Sequence, residues 1–380
     1  MELILKQYDI PLLRFSATND SSTPEIEVHW INEDQRHLLP LDMELSPEGI
    51  SRWMRRRTIP RNRAYVNRLL AKCGLNANRP MGILALCKGL SVDDSYWVVE
   101  EGFKGTFEKY NLFENRFSEV LALIAFTGYG SSNRSSLASS PEFTTNGMLP
   151  KCWRRISGKV TLYKGGTDGG YNTGAEPYCE YYAAQVAAAM GIDAIPYGLS
   201  QWKGRLCSTC ELFTDIDHAY MPIGNLVQRG GFDAVAAYYE NLGEPFQKAF
   251  RDMLVFDAVI CNTDRHYGNF GFMIDNKTNT IAAPAPLFDH GNSLFNQAGP
   301  EDYESPEAFQ QYIDTLVPCV YDDFFATAKR FMTDENREQL RKLLGFRFKR
   351  HVRYNLPPKR LKLMEEQVRK RAMRLLENKD

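Results

Sequence analysis

The sequence predicts an α+β protein in three segments: an accessory subdomain over residues 1–130, residues 131–212, and a mostly helical stretch over residues 213–380. Three patterns carry this expectation. Residues 159–164 (Lys-Val-Thr-Leu-Tyr-Lys) alternate apolar and polar, and a helical stretch at 180–190 follows, closed by Gly191. Phe270, Phe272 and Ile274 alternate as a half-buried strand does, residues 275–279 are turn formers, and residues 280–282 run back. Leu361, Met364, Val368, Met373 and Leu376 recur at roughly helical spacing, which predicts a C-terminal helix docked on the last of these segments.

Taken in chain order, the first 130 residues open with alternating stretches around Leu12, Arg14 and Ser16 and around Glu27, His29 and Ile31, predicted strands. Helices are predicted from Pro47 to Cys73, with Pro60 opening a second one at Arg61. Residues 91–97, Ser-Val-Asp-Asp-Ser-Tyr-Trp, form a compact acidic and aromatic element expected to pack on the body of the protein. The Ser- and Asn-rich residues 128–136 predict a linker. Gly165 to Gly170 form a second Gly-rich tract. It lacks the Gly-x-x-x-x-Gly-Lys-Ser/Thr order and predicts a connection between strand and helix. Residues 206–213 read as a strand that changes character at its end. Cys207 and Cys210 within it have metal-like spacing but no second Cys/His pair at zinc-finger distance.

Length and composition bound the class. The 380 residues with 43% hydrophobic content suit two or three domains with sizeable cores. A net charge of −1 argues against a general nucleic-acid coat protein. No apolar run approaches the length of a membrane span, and residues 1–6 lack a signal-peptide pattern. Eight scattered cysteines without a framework suit a reducing cytoplasm, the expected location. Basic residues concentrate at 52–63 and from Arg337 to Arg374. Residues 45–75 have the look of a short DNA-reading helix pair, yet Lys and Arg on amphipathic helices are ordinarily a solvated face, and direct nucleic-acid binding is not expected.

The chemistry sits in Cys-Asn-Thr-Asp-Arg-His-Tyr-Gly-Asn, residues 261–269, with Leu287, Phe288 and Asp289 some twenty residues on. Phosphoryl transfer needs an acid to orient the attacking hydroxyl, and an amide oxygen with a second acid to hold the magnesium ions that carry the phosphates. Asp264, Asn269 and Asp289 supply that set, and a hairpin between Asn269 and Asp289 brings its two ends together. A lone Asp-x-x-x-x-Asn spacing is common, and an Asp before an apolar strand is ordinarily a turn or cap residue. The combination with Asp-Arg-His, a hairpin and Pro-Leu-Phe-Asp is far rarer. It predicts an ATP- and Mg2+-dependent kinase, with His266 supporting the loop by packing and hydrogen bonding.

Asp264-Arg265-His266-x-x-Asn269 with Ala285-Pro286-Leu287-Phe288-Asp289 resembles the HipA-like serine/threonine kinases, toxin components of bacterial toxin–antitoxin modules. The resemblance extends through most of residues 135–345. It implies a bilobal protein-kinase-like fold with ATP between the lobes and a protein Ser or Thr as acceptor. Lys164 is then the lysine on the ATP phosphates. Glu180, eleven residues before Gly191, is its ion-pair partner, with Glu176 as the alternative. Residues 144–151 resemble the family's phosphate-covering loop, Ser-x-x-Gly-x-x-Pro-Lys, which places Gly147 and Lys151 at the nucleotide. Thr144 stands where the family has an autophosphorylated Ser, so Thr144, Ser139 and Ser140 are the candidate sites of self-phosphorylation. Glu211 and Phe213 fall at the adenine-binding hinge. The family also implies a small DNA-binding antitoxin as partner and a translation-related protein as target. The same Asp-Arg-His-x-x-Asn loop occurs in phosphatidylinositol kinases. A lipid kinase, a nucleotide-binding pseudokinase and a DNA-associated regulator therefore remain as alternatives.

Overall fold

The computed structural model describes residues 1–18, 24–130, 140–169 and 173–377. Its elements follow in order as β1 (Glu2–Gln7), β2 (Ile10–Ala17), β3 (Ile26–Ile31), α1 (Pro47–Arg56), α2 (Val66–Lys72), α3 (Pro80–Cys87), β4 (Tyr96–Glu100), α4 (Phe107–Tyr110), α5 (Glu119–Thr127), β5 (Lys151–Ile156) and β6 (Lys159–Gly165). Next come α6 (Glu176–Met190), β7 (Gly198–Trp202), β8 (Arg205–Glu211), β9 (His218–Pro222), α7 (Ile223–Leu226), α8 (Gly231–Asn241), α9 (Glu244–Ile260), β10 (Gly271–Asp275) and β11 (Thr280–Pro284). The chain ends with α10 (Pro306–Asp314), α11 (Phe324–Phe331), α12 (Asp334–Arg341) and α13 (Pro358–Leu376). The protein is α+β, as the sequence predicts. Where the sequence suggests three consecutive segments, contacts divide the chain into two interleaved units. One is Met1–Lys164 with Glu211–Met221 and Met273–Ala282; the other is Gly165–Cys210, Pro222–Phe272 and Ala283–Asp380.

In the first unit the sheet order is β3-β2-β1-β4, with antiparallel pairing throughout. Period-two alternation gives this sheet two buried faces. Along β4, Tyr96 and Val98 join Leu3, Leu5, Phe15 and, from α1, Trp53 and Met54, while Trp97 and Val99 join Leu90, Val92, Phe107 and Leu112. Burial on both sides explains why 96–100 lacks the polar alternation that marks β2. Residues 91–97, expected to pack on the body of the protein, make these contacts within the first 130 residues: Arg57 forks onto Asp94 at 2.7 Å per bond, and the Trp97 indole donates to the Tyr8 carbonyl.

The expected helix at Arg61 starts five residues later, at Val66, because Arg63 is held in a turn by buried bonds and Tyr65 adopts a left-handed conformation at φ 59°. The basic run 52–63 is in part structural. Arg57 and Arg63 are buried on carboxylates, and Arg56 pairs with Asp42 at 2.9 Å. The predicted 275–279 turn is present, with Asp275 accepting the amides of Lys277 and Thr278. Asn279 donates to the carbonyls of His37 and Leu39. Of the predicted linker, residues 131–136 lie outside the described residues.

The second unit is mainly helical around α9, whose residues from Phe250 to Ile260 are nearly all buried. Helices α11, α12 and α13 pack on it and on one another. The α13 stripe is as expected at Leu361, Met364 and Val368; Met373 is 46% exposed and Leu376 half-buried while Ala372 and Leu375 are buried, because the true helical period turns the last two predicted positions outward. Helix α6 begins at Glu176, a turn before the pattern suggests, and ends at Gly191 at φ 81°, a backbone conformation that suits glycine. Within the Gly-rich tract, Thr167 donates its amide and hydroxyl to Glu176, closing the loop over the helix start, while Gly170 lies outside the described residues. Among the described residues no helix is long and apolar enough to cross a membrane.

Candidate active site

The loop after α9 is built by a chain of polar ties. Cys261 turns the backbone at φ 53°, and the Asn262 backbone amide then bonds to the Asp257 carbonyl at 3.1 Å. A left-handed non-glycine residue costs about 1 kcal/mol or more. The Asn262 side chain, which donates to Asp257 and accepts from the Asp264 amide, holds the turn in place. Arg265 is 1% exposed and forks onto Asp257 at 2.9 and 3.0 Å. Its Nη1 donates to the carbonyls of Asn269, at 3.2 Å, and Phe288, at 2.6 Å. Nη2 reaches His290 Nδ1 at 3.0 Å; a guanidinium only donates, so Nδ1 accepts and the ring proton of His290 belongs on Nε2. Burial pushes the Asp257 carboxyl up, with Arg265 pulling against it. Breaking one partner from such a pair typically costs ~3–5 kcal/mol.

That guanidinium joins the loop carrying Asp264 and Asn269 to the segment carrying Asp289. On the Asp264 side, the Asn292 amide donates to Asp264 Oδ2 at 2.8 Å, and Thr263 bonds through its amide and hydroxyl to the Asn292 carbonyl. Asn269 is 7% exposed and donates its side-chain N–H to the Asp264 carbonyl at 3.3 Å. Asp289 lies at φ 55°, and its amide donates to the Tyr197 hydroxyl at 3.1 Å. The next amide, of His290, donates to Glu180 Oε2 at 2.8 Å. Leu287 bridges to Ala194 just beyond α6, which fixes the approach to Asp289.

Within the second unit the structure thus brings Asp264, Asn269, Asp289 and Glu180 into one hydrogen-bonded assembly. His266 is exposed, contrary to the packing role expected of it. It keeps the hydrogen-bonding role, since its Nδ1 accepts the Gly268 amide at 3.1 Å and its carbonyl the Asn269 amide. Arg265 fills the packing position instead. Sequence reading passed over Asp257, Asn262, Tyr197, His290 and Asn292. Asn262 and Asn292 sit within three residues of assigned acids, a spacing that marks loop-bracing amides.

The other predicted residues lie in or beside the first unit. Lys151 and Lys164 are buried cross-strand partners on the β5–β6 hairpin. Lys151 Nζ donates to the Asn146 carbonyl at 2.8 Å, over Gly147 at φ 91°; a Cβ there would collide with that ammonium. Thr144 is buried with its hydroxyl on the Leu90 carbonyl at 2.9 Å. Ser140 is buried as well, accepting the Glu142 amide at 3.3 Å, and Ser139 lies outside the described residues. Glu142, fully buried on Arg63, accepts the Trp153 amide at 2.8 Å, and the Ala64 amide bonds to the Met148 carbonyl. Glu211 pairs with Lys159 at 2.7 Å in solvent, and Phe213 stands edge-on to Tyr220. No cluster of three or more His, Cys, Asp or Glu that could hold a metal occurs among the described residues.

In fold the chain is similar to a solved HipA structure, and over part of its length its sequence is similar to one serine/threonine-protein kinase. A chain in the structure of the Shewanella oneidensis MR-1 toxin–antitoxin HipA, HipB and operator DNA complex is similar over 98% of this chain and 97% of its own, with a TM-score of 0.53 at 13% identity. The serine/threonine-protein kinase CtkA of Helicobacter pylori (strain J99 / ATCC 700824) is 27% identical over 135 residues. That match spans 32% of this chain and 41% of CtkA. The crystal structure of the Helicobacter pylori proinflammatory kinase CtkA aligns over 61% of this chain and 90% of that one, with a TM-score of 0.48 at 15% identity. No protein-family model matches the chain.

Proposed function

We propose that the chain is an ATP- and Mg2+-dependent kinase that phosphorylates Ser or Thr of a protein, and itself. The observation that carries this reading is the two-sided hold of Arg265 Nη1 on the Asn269 and Phe288 carbonyls, which ties the loop of Asp264 and Asn269 to the segment of Asp289. Asn292 occupies Asp264 Oδ2, and Oδ1, which has no hydrogen bond among the described residues, is assigned to orient the substrate hydroxyl and take its proton. Asn269 uses its side-chain N–H internally, so its amide oxygen and the Asp289 carboxylate are the donors that fit Mg2+. Bound there with ATP, the ion neutralises charge on the phosphates. Lys151 and Lys164 are the phosphate-contacting lysines that the family resemblance supports. Self-phosphorylation at Thr144 requires its hydroxyl to leave the Leu90 carbonyl, so the modified segment cannot keep its present position. For a partner, the resemblance supports a small DNA-binding antitoxin.

Incubation with γ-labelled ATP and Mg2+ tests the reading. Label on Ser or Thr is expected with the wild type, and Asp264→Asn and Asp289→Asn are expected to lose it by about a hundredfold or more. Absence of label together with no rise of Tm on adding ATP overturns it. Mapping the phosphate by mass spectrometry decides among Ser139, Ser140 and Thr144.

A further inference from the structure

The second unit contains a pocket of about 330 Å³ whose lining includes none of the residues assigned to phosphoryl transfer; it is formed by α10, the start of α11 and the last turns of α13. Three cations, Lys370, Arg371 and Arg374, line it, and none has a carboxylate at ion-pair distance among the described residues. Arg371 is the informative one. It is 6% exposed, its Nε donates to the Ala258 carbonyl at 2.6 Å, and its Nη2 is buried without a hydrogen-bond partner. A buried guanidinium is costly unless paired, and other deeply buried arginines of this protein are paired: Arg57 and Arg265 fork onto a carboxylate, and Arg63 bonds the carboxylate and the carbonyl of Glu142. Besides the Ala258 carbonyl, Arg371 has the faces of Phe325, 4.6 Å away, and Phe324, 5.4 Å away, and Arg374 also stands 3.9 Å over Phe325. Cation–π contacts of this kind offset part of the lost hydration and leave the hydrogen-bonding edge unsatisfied.

Two carboxylates also line the pocket, and both are engaged: Asp314 accepts the Gln310 amide at 2.9 Å, and Asp323 caps α11 by accepting the Ala326 amide at 2.6 Å. They leave the lining with a net charge of +1 among Lys370, Arg371, Arg374, Asp314 and Asp323. Gln310 and Gln367, linked at 3.2 Å, add polar groups to the same wall. The volume exceeds what one inorganic phosphate fills and matches a small phosphorylated molecule with a polar body.

We infer that this pocket binds a phosphate dianion, free or as a small phosphomonoester, with Arg371 as the buried anchor and Lys370 and Arg374 closing over it. Burial depresses the proton affinity of Arg371, in keeping with a cation that lacks its counter-charge. The inference uses residues of the second unit alone and does not depend on the kinase reading.

The test follows Tm and calorimetric binding of inorganic phosphate, and separately of ribose 5-phosphate, at constant ionic strength made up with chloride. Both probes are expected to stabilise the wild type, with the double variant Lys370→Gln/Arg374→Gln weakened about tenfold or more, the scale of charged hydrogen bonds. Tighter binding of ribose 5-phosphate assigns the site to phosphomonoesters, and equal binding to phosphate itself. Arg371→Gln is expected to abolish binding, and the double variant, altered only at exposed side chains, decides the matter if Arg371→Gln does not fold. No binding of either probe, or unchanged binding in the double variant, overturns the inference.

Discussion

A single guanidinium, that of Arg265, serves four partners: Asp257, Asn269, Phe288 and His290. Lys cannot reproduce that fork, having a point charge in place of a planar set of donors. Tyr197 acts more locally. Its hydroxyl accepts the Asp289 amide while Asp289 holds a left-handed conformation. Tyr197→Phe removes the acceptor of a half-buried N–H, and label transfer is expected to fall roughly tenfold, the equivalent of about 1.4 kcal/mol. The measurement is kcat for label transfer beside the ATP-induced rise of Tm, which is expected to stay. A second residue-scale expectation concerns Asp93, whose carboxyl is pushed up to about 6 by burial and the neighbouring Asp94. The folded state then keeps a proton that the unfolded chain loses near the ordinary value of 3.8. This group therefore favours folding most at low pH, and its contribution is lost as pH rises from about 4 to about 6. Unfolding free energies of wild type and Asp93→Asn from urea titration are expected to diverge across that window, by at most about 3 kcal/mol at its top, with the variant the more stable partner.

Among the elements, the β5–β6 hairpin and the loop before it are fastened to the N-terminal residues of their own unit. Arg63 bonds to Glu142 and to the Lys151 carbonyl, and both side chains of the ion pair are fully buried. Arg63→Met strands a buried carboxylate and is expected to cost ~3–5 kcal/mol, whereas Arg63→Met combined with Glu142→Leu is expected to recover most of it. Chemical denaturation of the two variants checks this; equal losses would contradict it. The same elements show what was legible beforehand. The hairpin β10–β11 and the helix α6 follow from alternation and from a glycine stop, both local signals. The start of α2 does not, because Arg63 is captured by Glu142, seventy-nine residues away, and no window of neighbouring residues contains that bond. In the candidate site, Asp264, Asn269 and Asp289 are legible from residue type and spacing. Tyr197 and Asn292 emerge only once the chain is folded, since an amide or phenol bracing a loop has no periodicity to betray it. His266 shows the converse error: type and position suggest burial, but Arg265 beside it already fills the interior.

At the scale of the whole molecule, the chain passes from one unit to the other after Lys164, Cys210, Met221, Phe272 and Ala282. Neither unit is therefore a continuous stretch of sequence. Gln7, near the start, donates to the Asn276 carbonyl at 2.7 Å, and the Tyr96 hydroxyl meets Asn279 at 3.2 Å. A fragment ending at Lys164 lacks both partners and all of β9–β11, and it is expected to melt well below the full chain or to aggregate, as circular dichroism would show. The ordering has a temporal side. On a ribosome the first 164 residues emerge early, yet the unit they belong to cannot close until Ala282 has been added. Throughout that interval the Gln7 amide waits for a carbonyl not yet made, while the Tyr96 hydroxyl has the Leu38 carbonyl at 2.8 Å. The nascent protein thus passes through a long stage in which its N-terminal sheet is complete in sequence and incomplete in contacts, the stage at which a holding chaperone has most to protect.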